Sequence, residues 1–553
     1  MLHQLFSLSS LAVAYQLVVF LVILVFTAGF PVGVFAQEPA WRVREGMPVG
    51  SEAERYLRIL QLGGKAPLYP WTVRGFTPHE LAAVTPTSAE HPWQARMDFT
   101  MEPSADPEWG WIRPKIGLIS NSAYPFGEND GAMWAGRGLT AVAEFGGFFR
   151  FGPLHLRLAP DGFWAENGNF DLADNGHSGE AAYWDENRPG TIDQPQRFGD
   201  ESYARLGLGS STLNIVLPAI TVGLSGASQY WGPALHYPLL LGNNSGGFVH
   251  AFAQTSTPID LWLLRVQGRY MFGWPKQSDF APYRAMEEER RFAAGAAFAI
   301  LPRGVDGLEL GVARFIHSLL PSGSHPRGSD FLRVFSGVTQ ESENLRSRNQ
   351  LASVFFRWAI PGAGAEVYGE LLKEDFARDL RHVIEEPDDL MSRVFGFQKI
   401  WSLPEGRFTA LRGEMVNAQL HHSERFDRLR IGPWPLPPYV HGGGVDHTHL
   451  GQLLGSPSAY GGSGWTLGFD LYDEEGRWSV SLSRALQTDW SAIHSKKGIA
   501  DVIYAVKLEA LRFRNNAEWV LAVTPSFNLN RNLVEENDVL NLSLHLSITG
   551  LPW

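Results

Sequence analysis

Beyond its first 37 residues, this 553-residue chain never runs for the about 18 apolar residues that a membrane-crossing helix requires. Met1 to Gln37 carry no Asp, Glu, Lys or Arg, and the first charge is Glu38. Within that stretch the apolar run from Leu17 to Phe26 is followed by Pro31 and by Val34-Phe35-Ala36. The pattern predicts a secretory signal peptide over residues 1–36, cleaved after Ala36. An uncleaved anchor is the alternative, because the apolar region is long enough to span and only His3 stands where a basic residue is usual. If such an exported chain enters a membrane beyond this point, it does so as a closed sheet. In lipid every backbone group must find its partner within the protein.

The period of the sequence supports a sheet. Residues 38–110 carry helical signals. Ser51 caps a run with Leu57 and Leu60 at helical spacing, stopped by Gly63-Gly64. Thr77, Pro78 and Glu80 form a capping-box pattern. From about Trp111 the period becomes two. Leu540, Leu542, Leu544, Leu546 and Ile548 alternate with Asn541, Ser543, His545 and Ser547. Trp262, Leu264, Val266 and Tyr270 alternate with Arg265, Gln267 and Arg269, and Val367 and Leu371 with Glu366 and Glu370. A soluble sandwich turns the apolar set inward, whereas a membrane barrel turns it outward.

Three features favour the barrel. Charges stand on the polar faces: Arg265 with Arg269, Glu366 with Glu370, Lys507 with Glu509. Aromatics crowd strand ends, as at Phe148, Phe149 and Phe151 and again at Tyr270, Phe272 and Trp274. Alternation continues to an aromatic C-terminus at Trp553, although Pro552 interrupts it. Residues 111–553 number 443, enough for roughly 18 strands at about 24 residues each with loops. The expected fold is therefore all-β, a large closed antiparallel outer-membrane barrel after a small helical module at 37–110, itself expected in the periplasm.

Composition excludes several functions. There are no cysteines, hence no disulfides, thiolate metal sites or cysteine nucleophiles. A net charge of −12 without a basic run argues against nucleic acid as a partner. No nucleotide-binding or hydrolase fingerprint occurs. Glu366 and Glu370, four apart on a strand, stand about 13 Å from each other, wider than a glycosidase pair. No enzyme activity and no cofactor is expected.

Several segments carry a resemblance: WIRPKIGLISNSAYPFGENDGAMWAGRG from Trp111, QYWGP from Gln229, LGNNS from Leu241, and HGGGVDHTHLGQLLG from His441. In this order they resemble the capsule assembly Wzi family of Gram-negative outer membranes, over most of the mature chain. The resemblance implies an 18-stranded barrel and a lectin-like role in holding capsular or related exopolysaccharide at the cell surface. Outer-membrane lipid and the barrel assembly machinery are the further partners implied. The chain departs from the family in length and in the insert Asp161 to Asp200, which lies among the loops that usually set glycan choice.

Candidate polysaccharide-binding residues follow from these segments: Asn121, Asp130, Trp134, Arg137, Tyr230, Trp231, Asn243, Asn244, His441, His447, His449 and Gln452. Trp134 would stack on a sugar while Asp130 and Arg137 fix hydroxyls, or the last two would pair to brace a turn. Tyr230 and Trp231 would form a stacking platform or a girdle. Asn243 and Asn244 fit sugar contacts or turn chemistry. His441, His447 and His449 with Asp446 suggest hydrogen bonds that pin a loop, with Gln452, more than a metal site. Two alternatives remain. One is a pore for anionic or sugar solutes lined by Arg265, Arg269, Arg357 and Arg412; the other is a periplasmic polysaccharide-processing enzyme.

Overall fold

A computed structural model of the chain describes residues 41–42, 45–86, 90–98, 106–282, 290–321, 323–336, 348–374, 380–385, 391–419, 437–441, 444–486 and 499–550. Residues 1–36 and Trp553, on which the signal and the terminal aromatic were read, lie outside them.

Among the described residues the chain forms a closed antiparallel barrel of eighteen staves. The first six are β1 (Glu108–Asn121), β2 (Gly138–Phe151), β3 (Leu154–Leu158 with Asp161–Ala165), β4 (Tyr203–Gly207 with Thr212–Val216), β5 (Ile220–Ser225) and β6 (His250–Thr255 with Ile259–Leu261). Next come β7 (Leu264–Gly273), β8 (Arg290–Pro302), β9 (Leu308–Leu320), β10 (Arg348–Ile360), β11 (Ala365–Glu374) and β12 (Met391–Ser402). The last are β13 (Phe408–Asn417), β14 (Ser463–Asp473), β15 (Gly476–Leu486), β16 (Val502–Arg514), β17 (Ala517–Leu529) and β18 (Val539–Thr549). Pairing of β18 with β1, Ser547 opposite Gly117, closes the ring.

The two-residue alternation sorts apolar residues outward and polar ones inward. On β11 Val367 is exposed while Glu366, Tyr368 and Glu370 are buried; on β10 Trp358 and Phe356 are exposed and Arg357 is buried. Phe397 on β12 and Val480 and Leu482 on β15 face out in the same way. A soluble sandwich would show the reverse, so the barrel reading of the alternation holds. Staves lean aromatic rings over glycines on their neighbours. Gly396 lies opposite Tyr368, and a Cβ there would come within 2.3 Å of the ring.

One end of the barrel has tight turns, Gly152-Pro153, Trp262-Leu263 and Asn515-Asn516 among them. Trp262 thus sits in a turn rather than at the head of the β7 alternation. Asn515 and Asn516 both have positive φ, 50° and 62°, the geometry that joins twisted hairpin strands. Exposed Trp109, Trp111, Trp262, Trp358, Trp401 and Trp478 ring this end. The other end carries the long connections, 166–202, 226–249 and 418–462 among them.

The N-terminal segment from residue 45 to 98 packs inside the barrel and forms one compact unit with it. Helix α1 (Glu52–Leu62) begins at Ser51, whose side chain accepts from the Glu54 amide, and ends at Gly63. The short helix α2 (Pro78–Ala83) has the expected capping box between Thr77 and Glu80. Both seat on wall side chains. Arg58 of α1 donates to Glu366 (2.9 Å), Arg357 donates to the other Glu366 oxygen (2.7 Å), and Gln398 donates to Glu366 at 2.7 Å. Glu309 pairs with Arg357 and accepts from the Trp71 amide at 2.8 Å and the Thr72 hydroxyl at 3.0 Å. Further round, Asp470 receives Arg55 (2.5 Å), Arg412 (3.2 Å) and Arg477 (3.3 Å). Glu80 receives Gln254 (2.7 Å), Gln267 (2.8 Å) and Tyr69 (3.0 Å). Charges taken out of water stay folded only when paired and hydrogen-bonded. These carboxylates therefore fix where the helices sit.

Candidate functional site

From the long-loop end two connections fold down into the lumen. Pro233 to Tyr237 is held by Glu414 of β13, whose carboxylate accepts the amides of Leu235 (2.6 Å), His236 (3.0 Å) and Tyr237 (2.5 Å) and the Tyr368 hydroxyl (2.6 Å). Tyr439 donates its hydroxyl to the Leu239 carbonyl. The descending loop then meets the N-terminal segment: Tyr230 pairs with Arg74 and Trp231 with Val73 as a two-stranded bridge across the lumen. The Arg74 guanidinium lies 3.3 Å from the centre of the Tyr230 ring, a cation–π contact. Trp231, wholly buried, packs edge-on to Phe315 with ring centres 6.4 Å apart. Neither residue lies in a girdle or presents a face to solvent. The reason is long-range: strand pairing with residues far earlier in the chain draws them inside.

Above this bridge several of the anticipated residues converge. Asn121, at the end of β1 and fully buried, donates its amide to the carbonyls of Phe126 (3.0 Å), Ala135 (3.0 Å) and Gly136 (3.2 Å), which binds the 122–137 loop to its own stave. The Asn243 amide donates to the Asn129 carbonyl at 3.0 Å, and its own carbonyl accepts from Gly131 at 2.8 Å. Asn244 donates to the Leu453 carbonyl at 3.0 Å. Gln452 joins three loops: its amide donates to Met133 (3.1 Å) and Asn244 (3.5 Å), while its oxygen accepts from Arg205 at 2.9 Å.

The histidines tie in the fourth segment. His447 is fully buried. Its Nε2–H donates to the Leu240 carbonyl, so its Nδ1 accepts, at 2.9 Å, from His317 Nε2–H on β9. Burial pushes the His447 imidazole down to about 4 and that of His449 to about 3. His449 Nδ1 accepts from the Lys276 amide at 3.0 Å. His441 donates its backbone amide to Asp446 at 3.1 Å. Arg291 of β8 holds the same segment through the Thr448 hydroxyl (3.4 Å) and the Asp446 carbonyl.

Two expected arrangements differ. Asp130 and Arg137 form no ion pair: Arg137 donates to the carbonyls of Ser122 (3.2 Å) and Asn169. Asp130 stays near its own turn, where burial lifts its carboxyl to about 6. Trp134 donates to Asn167 at 3.4 Å and meets Phe198 edge-on at 5.0 Å, so its ring packs into the loop cluster. Of the arginines put forward for a conducting lumen, Arg357 is engaged by Glu309 and Glu366 and Arg412 by Asp470, Arg269 donates to Gln254, and Arg265 is exposed.

Residues not singled out from sequence complete the lattice. Arg205 reaches Leu450 (3.2 Å) and Gln452, and its inward parity on β4 was a readable sign. Asn167 donates to the carbonyls of Phe198 (2.9 Å), Gly199 (3.0 Å) and Glu201 (2.9 Å), and its φ of 54° marks the Asn-Gly turn. Between these anchors the 166–202 loop presents exposed Asn169, Asp174, His177 and Glu180. Half-buried Tyr183 and Trp184 lie beside them, with the His177 ring 5.4 Å from that of Trp184.

Fold and site together define a class: an eighteen-stranded barrel of outer-membrane type, its lumen occupied by an N-terminal segment and infolded loops. Among solved structures the chain is similar to Wzi, described as an outer membrane protein involved in group 1 capsule assembly in Escherichia coli and as a carbohydrate-binding β-barrel. The TM-score is 0.60 at 13% identity, covering 92% of this chain and 99% of Wzi. The likeness is one of fold, and it falls on the family that the sequence segments resemble. OprD from Pseudomonas aeruginosa aligns with TM-score 0.37 at 8% identity over 80% of this chain and 92% of its own. OccK3 (OpdO) from the same organism gives 0.38 at 11%, over 82% and 97%. No family model matches the sequence, and no curated protein matches it.

Proposed function

We propose that this chain is exported to the outer membrane and there binds capsular or related exopolysaccharide at the cell surface, as a closed barrel rather than a channel. The observation that carries the reading is the lattice of Asn121, Asn243, Asn244 and Gln452, which joins three long connections into one platform above an occupied lumen. The named candidates act mainly by ordering that platform. Contacts to sugar come from its outer face, where Trp184 and Tyr183 supply ring surfaces and Asn169, His177 and Glu180 supply hydroxyl partners. Each contact is weak, and a repeating polymer gains strength through simultaneous engagement of many units. The apolar outer face of the staves suits lipid, and insertion would rely on the outer-membrane assembly machinery. No catalytic step is proposed.

The test is retention of surface polysaccharide in cells lacking the chain, complemented with the wild type or with Y183A/W184A. The reading predicts polysaccharide released to the medium without the protein, restored by the wild type and not by the double variant. Unchanged retention in the deletion strain would overturn it. Steady conductance by the purified protein would instead favour the pore reading.

A further inference from the structure

Charge on β9 to β12 divides by sign between the two faces of the wall. The carboxylates of these staves, Glu309, Glu366, Glu370 and Glu374, all take inward positions and are buried. Arg314, Arg348, Lys373 and Arg393 take outward ones, and no carboxylate does. Register ranges these cations together. Arg314 lies opposite Ala352, Ala352 opposite Lys373, and Lys373 opposite Met391, two residues before Arg393. With paired strands about 4.8 Å apart, Arg314 and Lys373 stand about 10 Å apart across the small Ala352. The next outward positions toward the tight-turn end, Val312, Val354 and Phe395, are exposed and apolar. An apolar belt therefore gives way to a band of cations within one side-chain step.

Beside this band the chain folds back over its own outer wall. Phe298 and Ile300 of β8 are exposed, whereas Phe292 and Ala294, at the same outward parity nearer the long loops, are buried. Their cover is the short helix α3 (Gly328–Leu332) and the turn Arg333–Phe335 that follows it. Phe331 meets Phe272 and Phe292 edge-on with ring centres 4.8 and 5.3 Å apart, and its carbonyl accepts from the Tyr270 hydroxyl at 2.7 Å. Phe335 stacks on Tyr270 at 5.8 Å. Arg314 fastens the turn, donating to the Val334 carbonyl (3.1 Å), the Ser336 carbonyl (2.5 Å) and Gln350 (2.7 Å). Arg348 shares Asp330 of α3 at 3.7 Å.

The outer side of this cover is both apolar and basic. Leu332 and Phe335 are exposed, Arg327 is exposed, and Arg333 is half-buried close enough to Arg314 for their charges to oppose. Lys373 and Arg393 are half-buried on the neighbouring staves. Cations on a lipid-facing wall are tolerated near the headgroups rather than in the hydrocarbon, and basic surfaces at that level recognise anionic head groups. Guanidinium forks match phosphate oxygens, while Leu332, Phe335, Val354 and Phe395 offer apolar surface to acyl chains.

We infer that the outer face of β9–β12, with α3 and its following turn, is a binding site for a phosphorylated lipid of the outer leaflet. Arg333, Lys373 and Arg393 hold the phosphates, Arg314 positions the turn, and acyl chains lie along the apolar belt. The inference rests on placement in the outer membrane but not on polysaccharide binding, and its readout is lipid alone. The test is native mass spectrometry of the full chain in detergent, titrated with diphosphoryl lipid A, its monophosphoryl form and phosphatidylethanolamine. A saturable diphosphoryl lipid A adduct is expected, with the monophosphoryl form at least threefold weaker and phosphatidylethanolamine weaker still. R333Q and K373Q/R393Q, each checked for an intact barrel by heat-modifiable gel mobility, should weaken the adduct at least fivefold, and L332S/F335S at least twofold. R484Q, which removes an outward cation of β15, should leave it unchanged. Equal retention of phosphatidylethanolamine, an adduct untouched by the two cation variants, or an equal loss in R484Q would overturn the site. Inorganic pyrophosphate binding as tightly as lipid A, with no effect of L332S/F335S, would overturn its assignment to a lipid.

Discussion

Removing the Glu366 carboxylate should unseat α1 more than removing the arginine that α1 brings to it. Glu366 is fully buried and receives Arg58, Arg357 and Gln398 at 2.7–2.9 Å. In E366A both guanidinium groups stay buried with only Glu309 left to share, which stands against Arg357 alone. Breaking a buried pair in this sense costs about 3–5 kcal/mol. In R58A, Glu366 keeps Arg357 and Gln398, and the loss is nearer the roughly 1–3 kcal/mol of a hydrogen bond to a charged group. The readout is hydrogen exchange of the α1 amides in the detergent-solubilised barrel, which reports local opening. At about 1.4 kcal/mol per decade, E366A should speed exchange by two to three orders of magnitude and R58A by one to two, while amides of β14 to β17 stay protected. Equal effects of the two variants, or less than a threefold change in E366A, would refute the view that this cluster seats the segment.

Three further outcomes follow from the geometry. Because the His447 imidazole is held down at about 4, against about 6.5 when free, its contribution is complete above pH 6.5. It is lost as pH falls from there through 4, by up to roughly 3 kcal/mol. Hydrogen exchange at residues 444–455 should rise over that interval, and no rise would contradict the buried assignment. Asp185 in the 166–202 loop, lifted by burial to about 6, has the opposite sign, so the acid response should be specific to the histidine segment. N121A leaves the Phe126, Ala135 and Gly136 carbonyls without their donor, at about 1–3 kcal/mol, and should open 122–137 to limited proteolysis at least fivefold faster. V480K places a charge on an outward mid-stave position and should lower folding stability in lipid vesicles by about 2–4 kcal/mol. A neutral effect would mean that this face does not meet lipid.

Much of the barrel was legible because lipid outside and polar groups inside impose a strict two-residue period on every stave. The alternations around Glu366 and Leu540 therefore predicted side-chain direction correctly. Helix caps at Ser51 and Thr77 were legible for a similar reason, since a cap is satisfied within four residues. The loop platform was not. Tyr230 and Trp231 carry the same local signal whether they end a stave at the interface or pair with Val73 and Arg74 inside the lumen, and only contacts distant in sequence decide. Asp130 and Arg137 stand close in sequence and opposite in charge, yet Arg137 turns to the Ser122 and Asn169 carbonyls. The asparagines and Gln452 were identifiable as polar loop residues, but their partners lie on other loops, which no local pattern specifies.

The most direct measurement of the central claim is single-channel conductance of the purified full chain in planar bilayers. A lumen crossed by the Tyr230–Trp231 bridge and held by the Glu366 and Asp470 clusters predicts no steady open current, with brief openings appearing in E366A. A stable conducting level in the wild-type protein would contradict it.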